Sequence, residues 1–277
     1  MAIPLTSPAP EAGRTPPARL VQERPAAKNA VALFQGKWAC DLRELDPALA
    51  SGSAPLFRVD RRPVELEAEL NKLGRSVAGA RILEIGPLEA AHSFQLEQLG
   101  AAEILSIESN SDAYLKCLIV KEIAGLKATR FLLGDAQLYV RDTSDRYDLV
   151  FCCGVLYHLA DPFEFIRHAC TLTDYVYVWT HFFDPAVGLL TPDGQRQPVR
   201  VDKGALSLTY YQRHYVEIDN DKFLGGNQFL SSWMPLPDLE ASFRAAGFTP
   251  RIMNVDRAHP NGPAVTMLCI RDKQKAP

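Results

Sequence analysis

This chain of 277 residues lacks the features that would place it in a membrane or on a nucleic acid. No stretch approaches the roughly 20 consecutive apolar residues that a membrane-spanning helix needs. Its first residues do not form a basic segment followed by an apolar one, so no secretory signal is predicted. The formal net charge is −3, which disfavours a general binder of nucleic acid or membrane surfaces. We expect a cytoplasmic protein that has no membrane partner, and binding to nucleic acid is disfavoured.

Cysteine is scarce and scattered, with six residues and no Cys-x-x-Cys pair. Cys152 and Cys153 are neighbours on one predicted strand, where their side chains point to opposite sides. Reduced thiols in a core are therefore expected, rather than disulfides. Hydrophobic residues make up 47% and charged residues 23% of the chain, which predicts a globular protein with a substantial core.

The glycine-rich loops that bind phosphate groups are also missing. There is no Gly-x-x-x-x-Gly-Lys-Ser/Thr sequence, which disfavours an NTPase. After a predicted strand at 81–85, the turn reads Gly86-Pro87-Leu88-Glu89 in place of Gly-x-Gly-x-x-Gly. Pro87 removes a backbone donor, and Glu89 places a negative charge where a pyrophosphate would sit. The site therefore favours a nucleoside without phosphate and with a positive charge, a description that S-adenosylmethionine meets.

The chain divides into segments of different composition. Residues 1–27 are rich in Pro, Ala and Arg and are predicted to be a disordered tail. Residues 28–79 carry apolar residues at helical spacing and predict an N-terminal helical cap, which either covers a ligand or only packs. Residues 80–277 alternate strands with helices, which predicts parallel β–α units; strands are expected at about 81–85, 104–108, 130–133, 147–153 and 175–180. Ser111 is expected to cap the helix after the second strand, with Leu115 and Leu118 on its apolar face, and Asp161-Pro162 is expected to begin a later helix.

The last part of the chain predicts a reversed pair of strands and a covering insert. Strands are expected at 251–255 and 265–270, and Asn261-Gly262 between them is a hairpin signal. Residues 184–235 are rich in aromatic side chains and are interpreted as a lid that either binds substrate or only has its own small core. The candidate substrate-binding residues of this insert are Tyr211, His214, Tyr215 and Trp233.

Acidic residues mark the ends of three successive predicted strands. Glu84 precedes the first turn, and Glu108 and Asp135 follow the next two strands. Glu108 lies 22 residues after Gly86, a suitable distance for accepting hydrogen bonds from ribose hydroxyls. Asp135 would lie on the same rim and could accept from the amine of adenine. Each acid alone could instead be a solvated carboxylate at a strand end. Gly86 lets ligand atoms approach the backbone closely.

Several short segments match one known pattern: Leu83-Glu84-Ile85-Gly86-Pro87-Leu88-Glu89, Gly134-Asp135-Ala136, Tyr147-Asp148-Leu149-Val150 and Gly154-Val155-Leu156-Tyr157-His158-Leu159. Together with Glu108 they resemble the class I S-adenosylmethionine-dependent methyltransferases over residues 80–270. The resemblance implies a Rossmann-like, doubly wound α/β fold whose seven-stranded sheet is mostly parallel and ends in a C-terminal antiparallel hairpin. The last segment looks like a branch that includes small-molecule methyltransferases and tRNA wobble-uridine modifying enzymes.

The resemblance also implies where the cofactor S-adenosylmethionine is held. The end of the first strand lines the methionine, the acid after the second strand holds the ribose, and the acid after the third borders the adenine. The backbone after the fourth strand meets the sulfonium or the amino group. The family's second and third glycines are Leu88 and Ala90 in this chain. The expected cofactor-binding residues are Glu84, Gly86, Pro87, Glu108, Ser109, Asp135, Ala136, Cys153 and Gly154.

Methyl transfer to a small-molecule acceptor is the predicted reaction. The sulfonium already activates the methyl group, so the protein mainly aligns the reactants and excludes water. A base is needed only for an acceptor that is protonated at working pH. The candidate bases are His158 and His181, which either act in catalysis or only pack, and Tyr157 is expected to contact substrate. A metal site of His158, His181 and His214 has only weak support in the spacing, and no metal is predicted.

Three further histidines, His92, His168 and His259, are expected to lie away from the site and to be structural. Two other functions stay open. One is an RNA-modifying transferase that uses S-adenosylmethionine, and the other is a non-catalytic protein that keeps the fold and the nucleoside pocket.

Overall fold

The computed structural model describes residues 20–187, 197–214 and 228–272. The main sheet contains β1 (Arg81–Ile85), β2 (Glu103–Glu108), β3 (Thr129–Leu133), β4 (Leu149–Cys153), β5 (Tyr175–His181), β9 (Phe248–Asp256) and β10 (Ala264–Arg271). A smaller sheet contains β6 (Gln197–Lys203), β7 (Leu206–His214) and β8 (Leu230–Trp233). The helices are α1 (Ala27–Ala32), α2 (Arg62–Asn71), α3 (Ala91–Gln98), α4 (Ser111–Ala124), α5 (Ala136–Asp142), α6 (Pro162–Ala169) and α7 (Leu236–Ala245).

The order of the strands places the candidate site. The main sheet has seven strands in the order β3-β2-β1-β4-β5-β10-β9. The first five strands run parallel, and β10 is antiparallel to both β5 and β9. The predicted mostly parallel sheet with a reversed C-terminal strand is therefore confirmed. The strand order reverses between β1 and β4, and in open α/β sheets ligands bind at the carboxyl ends of strands at such a point.

Both faces of the sheet are covered, as the uninterrupted apolar sequences of the central strands require. Cys152 lies in the core cluster on one face and Cys153 in the cluster on the other. All six cysteines are buried and free of disulfides, as the sequence predicts. Among the described residues, no helix is long and apolar enough to cross a membrane.

The capping residue of α6 is the predicted one, and that of α4 is not. Asp161 caps α6 by accepting from the backbone amide of Glu164 at 3.2 Å, and Pro162 occupies its first position. At α4 the cap is Asn110 rather than the predicted Ser111, because the Asn110 side chain accepts from the amide of Ala113 at 3.0 Å. Helix α5 has no counterpart among the sequence-based predictions.

Helix α4 corrects a second prediction. The sequence places Leu115 and Leu118 on an apolar face, yet the residues that α4 buries include Lys116 and Cys117. The exposed fractions of Leu115 and Leu118 are 46% and 38%. Helical spacing identifies an apolar face but not its partner. Here part of that face lies in a shallow outer groove beside α1, which also includes Leu33.

The N-terminal segment is held to the sheet by a buried ion pair. Glu89, in the turn after β1, has no exposed surface and accepts from the backbone amides of Ala39 at 3.0 Å and Cys40 at 2.7 Å. Lys116 on α4 reaches the same carboxylate at 2.9 Å and also donates to the carbonyl of Lys37. A buried carboxylate needs such partners. Glu89 therefore fixes residues 37–40 over the turn that begins the candidate site.

Candidate functional site

A cavity of about 810 Å³ opens at the carboxyl ends of β1, β2 and β4. Four stretches of the β–α unit region form its walls: the turn at 86–89, residues 108–111, residues 135–137 and residues 153–155. The N-terminal segment and α2 complete the wall with Cys40, Leu56, Arg62 and Glu65. The N-terminal segment is thus part of the wall around the cavity.

Gly86, in the first turn, lies close to the side chain of Val155. Its φ is +67°, a backbone conformation that side chains rarely adopt. A Cβ placed on it would lie 2.9 Å from Cγ2 of Val155, which is closer than such atoms pack. The amide of Gly86 donates to the carbonyl of Ile107 at 3.0 Å and joins the turn to β2. Pro87 follows it in the cavity wall.

The turn keeps a glycine-like backbone without the glycines. Leu88 and Ala90 have φ values of 57° and 62°, in the left-handed region. An L-residue there costs roughly 1–2 kcal/mol, so two strained residues stand where the methyltransferase pattern has glycine. Leu88 lines the cavity, and its amide donates to Oε2 of Glu108 at 3.3 Å. Both residues therefore adopt a backbone conformation that glycine favours.

Glu108 is a carboxylate fixed by backbone amides on the cavity wall. It is 4% exposed, and its Oε1 accepts from the amide of Asn110 at 2.8 Å. Burial raises the pKa of Glu108 above its ordinary value, although the amides of Asn110 and Leu88 oppose the shift. Ser109 follows it in the wall.

Asp135 lies on the same cavity. Its side chain caps α5 by accepting from the amide of Gln137 at 2.7 Å, and Ala136 lines the wall beside it. Glu108 and Asp135 therefore face one shared chamber, as their positions after successive parallel strands predict.

Glu84 does not line the cavity, contrary to the expectation from the sequence. Its carboxylate is 1% exposed, and Oε2 accepts from the hydroxyls of Ser93 and Ser106. Its other oxygen, Oε1, is buried with no hydrogen-bond partner among the described residues. Burial raises the pKa of Glu84 above its ordinary value, and the two hydroxyls oppose this shift. The central position of β1 accounts for this burial.

A polar cluster lies beside Cys153 and Gly154, which both line the cavity. Nη1 of Arg62 is 3.1 Å from the sulfur of Cys153, and Nε of Arg62 is 2.9 Å from Oδ1 of Asp60. The guanidinium also lies 4.8 Å from the ring centre of Trp179. Helix α2 thus supplies a charged side chain that sequence analysis missed, because nothing in its spacing relates it to β4.

His92 belongs to the same cluster, which corrects its assignment as a structural histidine remote from the site. It lines the cavity and its Nε2 lies 2.8 Å from Oδ2 of Asp60. Burial disfavours the charged imidazole, but the interactions with Cys153 and Asp60 outweigh it and raise the pKa of His92 to about 10. His168 is not part of the cavity wall.

The other end of the cavity is aromatic. Tyr157, Trp179, His181 and His259 line it, and the ring centre of His181 lies 4.6–5.0 Å from those of the other three. The second candidate base, His158, also lines the cavity. His259 was expected to be structural, and its place in the wall is a correction. The reversed strand β10 brings the turn that carries His259 beside β5.

The predicted lid residues that the structure describes lie outside the cavity wall. No described residue of the insert 184–235 lines the cavity. Tyr211 stacks on Phe183, His214 is exposed, and Trp233 stacks on His181 from behind the wall at 5.1 Å. Tyr215 lies outside the described residues.

The described strands of the insert instead pack near α6. The hydroxyl of Tyr210 donates to Asp161 at 2.8 Å, and that of Ser232 donates to the carbonyl of Ala160 at 2.7 Å. Within the part of the chain that the structure describes, no group of three or more His, Cys, Asp or Glu residues could hold a metal ion.

Solved structures share this architecture. The chain superposes on the N-terminal domain of EvdMO1 with SAH bound at a TM-score of 0.58 and 22% identity, covering 83% of this chain and 94% of that one. It superposes on magnesium protoporphyrin IX methyltransferase (ChlM) from Synechocystis PCC 6803 with bound SAH at 0.52 and 15%, covering 84% and 93%. The chain has the fold of the S-adenosylmethionine-dependent methyltransferases. This methyltransferase fold accounts for the strand order and the place of the cavity.

Two curated proteins match the chain in sequence. It is 26% identical over 172 residues to the tRNA U34 carboxymethyltransferase of Methylococcus capsulatus, covering 61% of this chain and 46% of that protein. It is 26% identical over 89 residues to that of Campylobacter hominis, covering 32% and 30%. The matches span less than half the length of these relatives. No protein-family model matches the chain.

Proposed function

We propose that this protein is an S-adenosylmethionine-dependent methyltransferase that acts on a small-molecule acceptor. The observation that carries the proposal is the meeting of Gly86, Glu108 and Asp135 on one cavity at the point where the strand order reverses. A glycine at the first turn lets a ligand approach the backbone closely, and a carboxylate after the next strand suits the hydroxyl groups of a ribose.

The chemistry of the wall fits this cofactor. Glu108 and Asp135 offer acceptors to hydroxyl and amine groups. These negative groups suit a cationic ligand, whereas Pro87 and the buried Glu89 leave no phosphate-binding turn. The aromatic end adds ring faces that attract a cation. When bound, S-adenosylmethionine supplies a methyl group already activated by a sulfonium.

The protein's own residues then have three tasks. The turn at Gly86 and the amides that fix Glu108 orient the cofactor. Tyr157 and Trp179 narrow the aromatic end and exclude water from it. His181 stands in that wall as the candidate group that takes a proton from an acceptor. Neighbours of the same fold were crystallised with SAH or SAM, which agrees with this assignment.

A second candidate is transfer to RNA, which the two tRNA U34 carboxymethyltransferases favour. The net charge of −3 argues against a phosphate-binding surface. Nucleic acid that copurifies with the protein, detected by its absorbance at 260 nm, would favour the RNA candidate.

The test is to incubate the protein with methyl-labelled S-adenosylmethionine and, separately, a small-molecule extract of its source and total tRNA. Glu108→Ala is expected to abolish labelling, while Glu122→Ala, an exposed acid on α4, serves as the matched control. Label in a small molecule supports the first proposal, and label in tRNA supports the second. Absence of both labelling and cofactor binding would remove the two enzyme proposals together.

A further inference from the structure

The thiol of Cys153, at the end of β4, contacts a cation in the cavity wall. Cys153 is 6% exposed and lines the cavity beside Gly154. Its sulfur lies 3.1 Å from Nη1 of Arg62, which lines the same cavity. A guanidinium can only donate a hydrogen bond, so the sulfur accepts it. The contact joins helix α2 to the end of the fourth strand.

His92 is a second positive neighbour of this thiol. Its imidazole hydrogen-bonds to the sulfur of Cys153, and its Nε2 lies 2.8 Å from Oδ2 of Asp60. Asp60 is also held by Arg62, whose Nε lies 2.9 Å from Oδ1. Burial disfavours the charged imidazole, but Cys153 and Asp60 raise the pKa of His92 to about 10. The imidazole is therefore positive at pH 7.

The charges of this cluster balance when Cys153 is a thiolate. Arg62 and His92 are positive and Asp60 is negative, so the three side chains together carry one positive charge. Glu65 on α2 is exposed to solvent, which screens its charge. The thiolate is the form of cysteine that attacks electrophiles, and a neighbouring Arg or protonated His favours it. The cluster therefore makes Cys153 a nucleophile.

The other five cysteines have surroundings that keep a thiol protonated. Cys152, next to Cys153 on β4, lies in the core cluster on the opposite face of the sheet. Cys40 also lines the cavity, but Glu89 beside it adds a negative charge. Buried thiols in apolar surroundings are inert. Burial raises the pKa of all five thiols, those of Cys40, Cys117, Cys152, Cys170 and Cys269.

A buried hydroxyl near Cys153 lacks an acceptor. Tyr177 on β5 is fully buried in the same core cluster as Cys153. Its hydroxyl has no hydrogen-bond partner among the described residues. Burial raises the pKa of Tyr177, and Cys153 adds to this while Arg62 opposes it, so the hydroxyl lies within electrostatic reach of both. An oxygen atom added to the sulfur offers an acceptor to a buried donor that has none.

We propose that Cys153 is a site of reversible oxidation, where a hydroperoxide that enters the cavity converts the thiolate to a sulfenic acid. The sulfur attacks one peroxide oxygen, the oxygen–oxygen bond breaks, and its electron pair leaves with the other oxygen. His92 gives that oxygen a proton, so hydrogen peroxide leaves as water, and His92 regains a proton from solvent. The sulfur is oxidised and the peroxide is reduced. A thiol reductant reverses the change through a mixed disulfide.

The modification bears on cofactor binding. The proposed function has the sulfonium or the amino group of S-adenosylmethionine at the backbone of Cys153 and Gly154, which both line the cavity. An added oxygen occupies space there and changes the charge of the cluster, so oxidation should weaken binding. This consequence rests on the proposed function, whereas the reactivity of Cys153 rests on its contacts with Arg62 and His92.

The first experiment compares the thiols within one folded protein. The chain is treated at pH 7 with iodoacetamide or, separately, with hydrogen peroxide and dimedone, which traps a sulfenic acid, and the modified peptides are measured by mass spectrometry. Cys153 should react at least about 10-fold faster than Cys152, its matched control on the same strand. In urea all six thiols should react with iodoacetamide. Equal rates at Cys152 and Cys153 in the folded protein, or faster reaction of another cysteine, would overturn the proposal.

Charge variants test the cause of the reactivity. Arg62→Met should slow alkylation of Cys153 by about 10-fold or more at pH 7, because an opposite charge this close changes the fraction of thiolate by that factor. Arg62→Lys, which keeps the positive charge, should react faster than Arg62→Met. Alkylation of Arg62→Met as fast as that of the wild type would contradict the role given to the cluster.

Calorimetric titration with SAH tests the consequence for binding. After treatment with peroxide the wild type should bind SAH at least about 10-fold more weakly, and dithiothreitol should restore its affinity. In Cys153→Ser the affinity should be the same before and after peroxide. Unchanged affinity in the oxidised wild type would contradict the effect on binding. If the untreated wild type does not bind SAH, the proposed function fails, whereas the labelling experiment still decides whether Cys153 is the reactive thiol.

Discussion

Replacing Gly86 with alanine should reveal how closely a ligand approaches the first turn. Gly86 and Gly125 have nearly the same backbone, with φ values of +67° and +68°. An added Cβ at Gly86 meets Val155 at 2.9 Å, whereas at Gly125, the residue that ends α4, it has nothing within 4 Å. Gly125→Ala is therefore a matched control that carries the backbone strain without the close contact.

The expected magnitudes follow from these contacts. An L-residue in the left-handed region costs roughly 1–2 kcal/mol. Alanine also lowers the conformational entropy of the unfolded chain, which stabilises the folded state by about 0.4–1 kcal/mol. Gly125→Ala should therefore lower the free energy of unfolding by about 1 kcal/mol. Overpacking adds about 1–3 kcal/mol, so Gly86→Ala should cost about 2–4 kcal/mol. Val155 is branched and packs against the core, which limits its retreat.

Urea unfolding at pH 7 measures both variants, with the m-value checking that the unfolded states are comparable. Calorimetric titration with SAH should give at least about 10-fold weaker binding for Gly86→Ala, or ~1.4 kcal/mol, and unchanged binding for Gly125→Ala. Equal losses of stability in the two variants, together with unchanged SAH binding in Gly86→Ala, would refute the role given to this turn.

Three further predictions concern buried charges. Because the pKa of His92 is raised to about 10 from 6.5, its stabilising contribution is complete below pH 6.5 and is lost as the pH rises through about 10. In that window the free energy of unfolding of the wild type should fall by up to about 1.4 kcal/mol per pH unit relative to that of His92→Gln. The same pH dependence in both proteins, measured by urea unfolding, would disprove this. Because the pKa of Glu108 is also raised, SAH affinity should fall as the pH is lowered from 7 towards 5 in the wild type but stay flat in Glu108→Gln, and matching profiles in calorimetry would count against the assignment. Lys116→Met leaves Glu89 buried without its cation and should lower the free energy of unfolding by about 3 kcal/mol or more in urea. Adding Glu89→Gln to this variant should restore part of that free energy. A decrease below about 0.5 kcal/mol for Lys116→Met would contradict the buried pair.

The sheet could be predicted because its signals are local. Central parallel strands are apolar on both faces, and Asp161-Pro162 marks a helix start by short-range hydrogen bonding. Glu108 and Asp135 could be assigned to the cavity because residues after consecutive parallel strands meet at one edge of the sheet.

The rest depends on contacts between distant parts of the chain. Arg62 reaches Cys153 across 91 positions, and His181 meets the carbonyl of Gly262 across 81. No periodicity encodes such pairs, so the contact of Arg62 with Cys153 and the place of His259 in the cavity wall were missed. The lid stays a prediction: the described aromatic residues of the insert pack near α6 and behind His181, and the rest of its predicted residues lie outside the described ranges.

Two calorimetric titrations, one with SAH and one with NAD, test most directly whether the cavity binds S-adenosylmethionine rather than a dinucleotide. We expect one SAH per chain and no measurable binding of NAD, because Glu108 and Asp135 suit a nucleoside without phosphate and the turn at Pro87 lacks a backbone that could bind a pyrophosphate. Failure to bind SAH, or tighter binding of NAD, would contradict it.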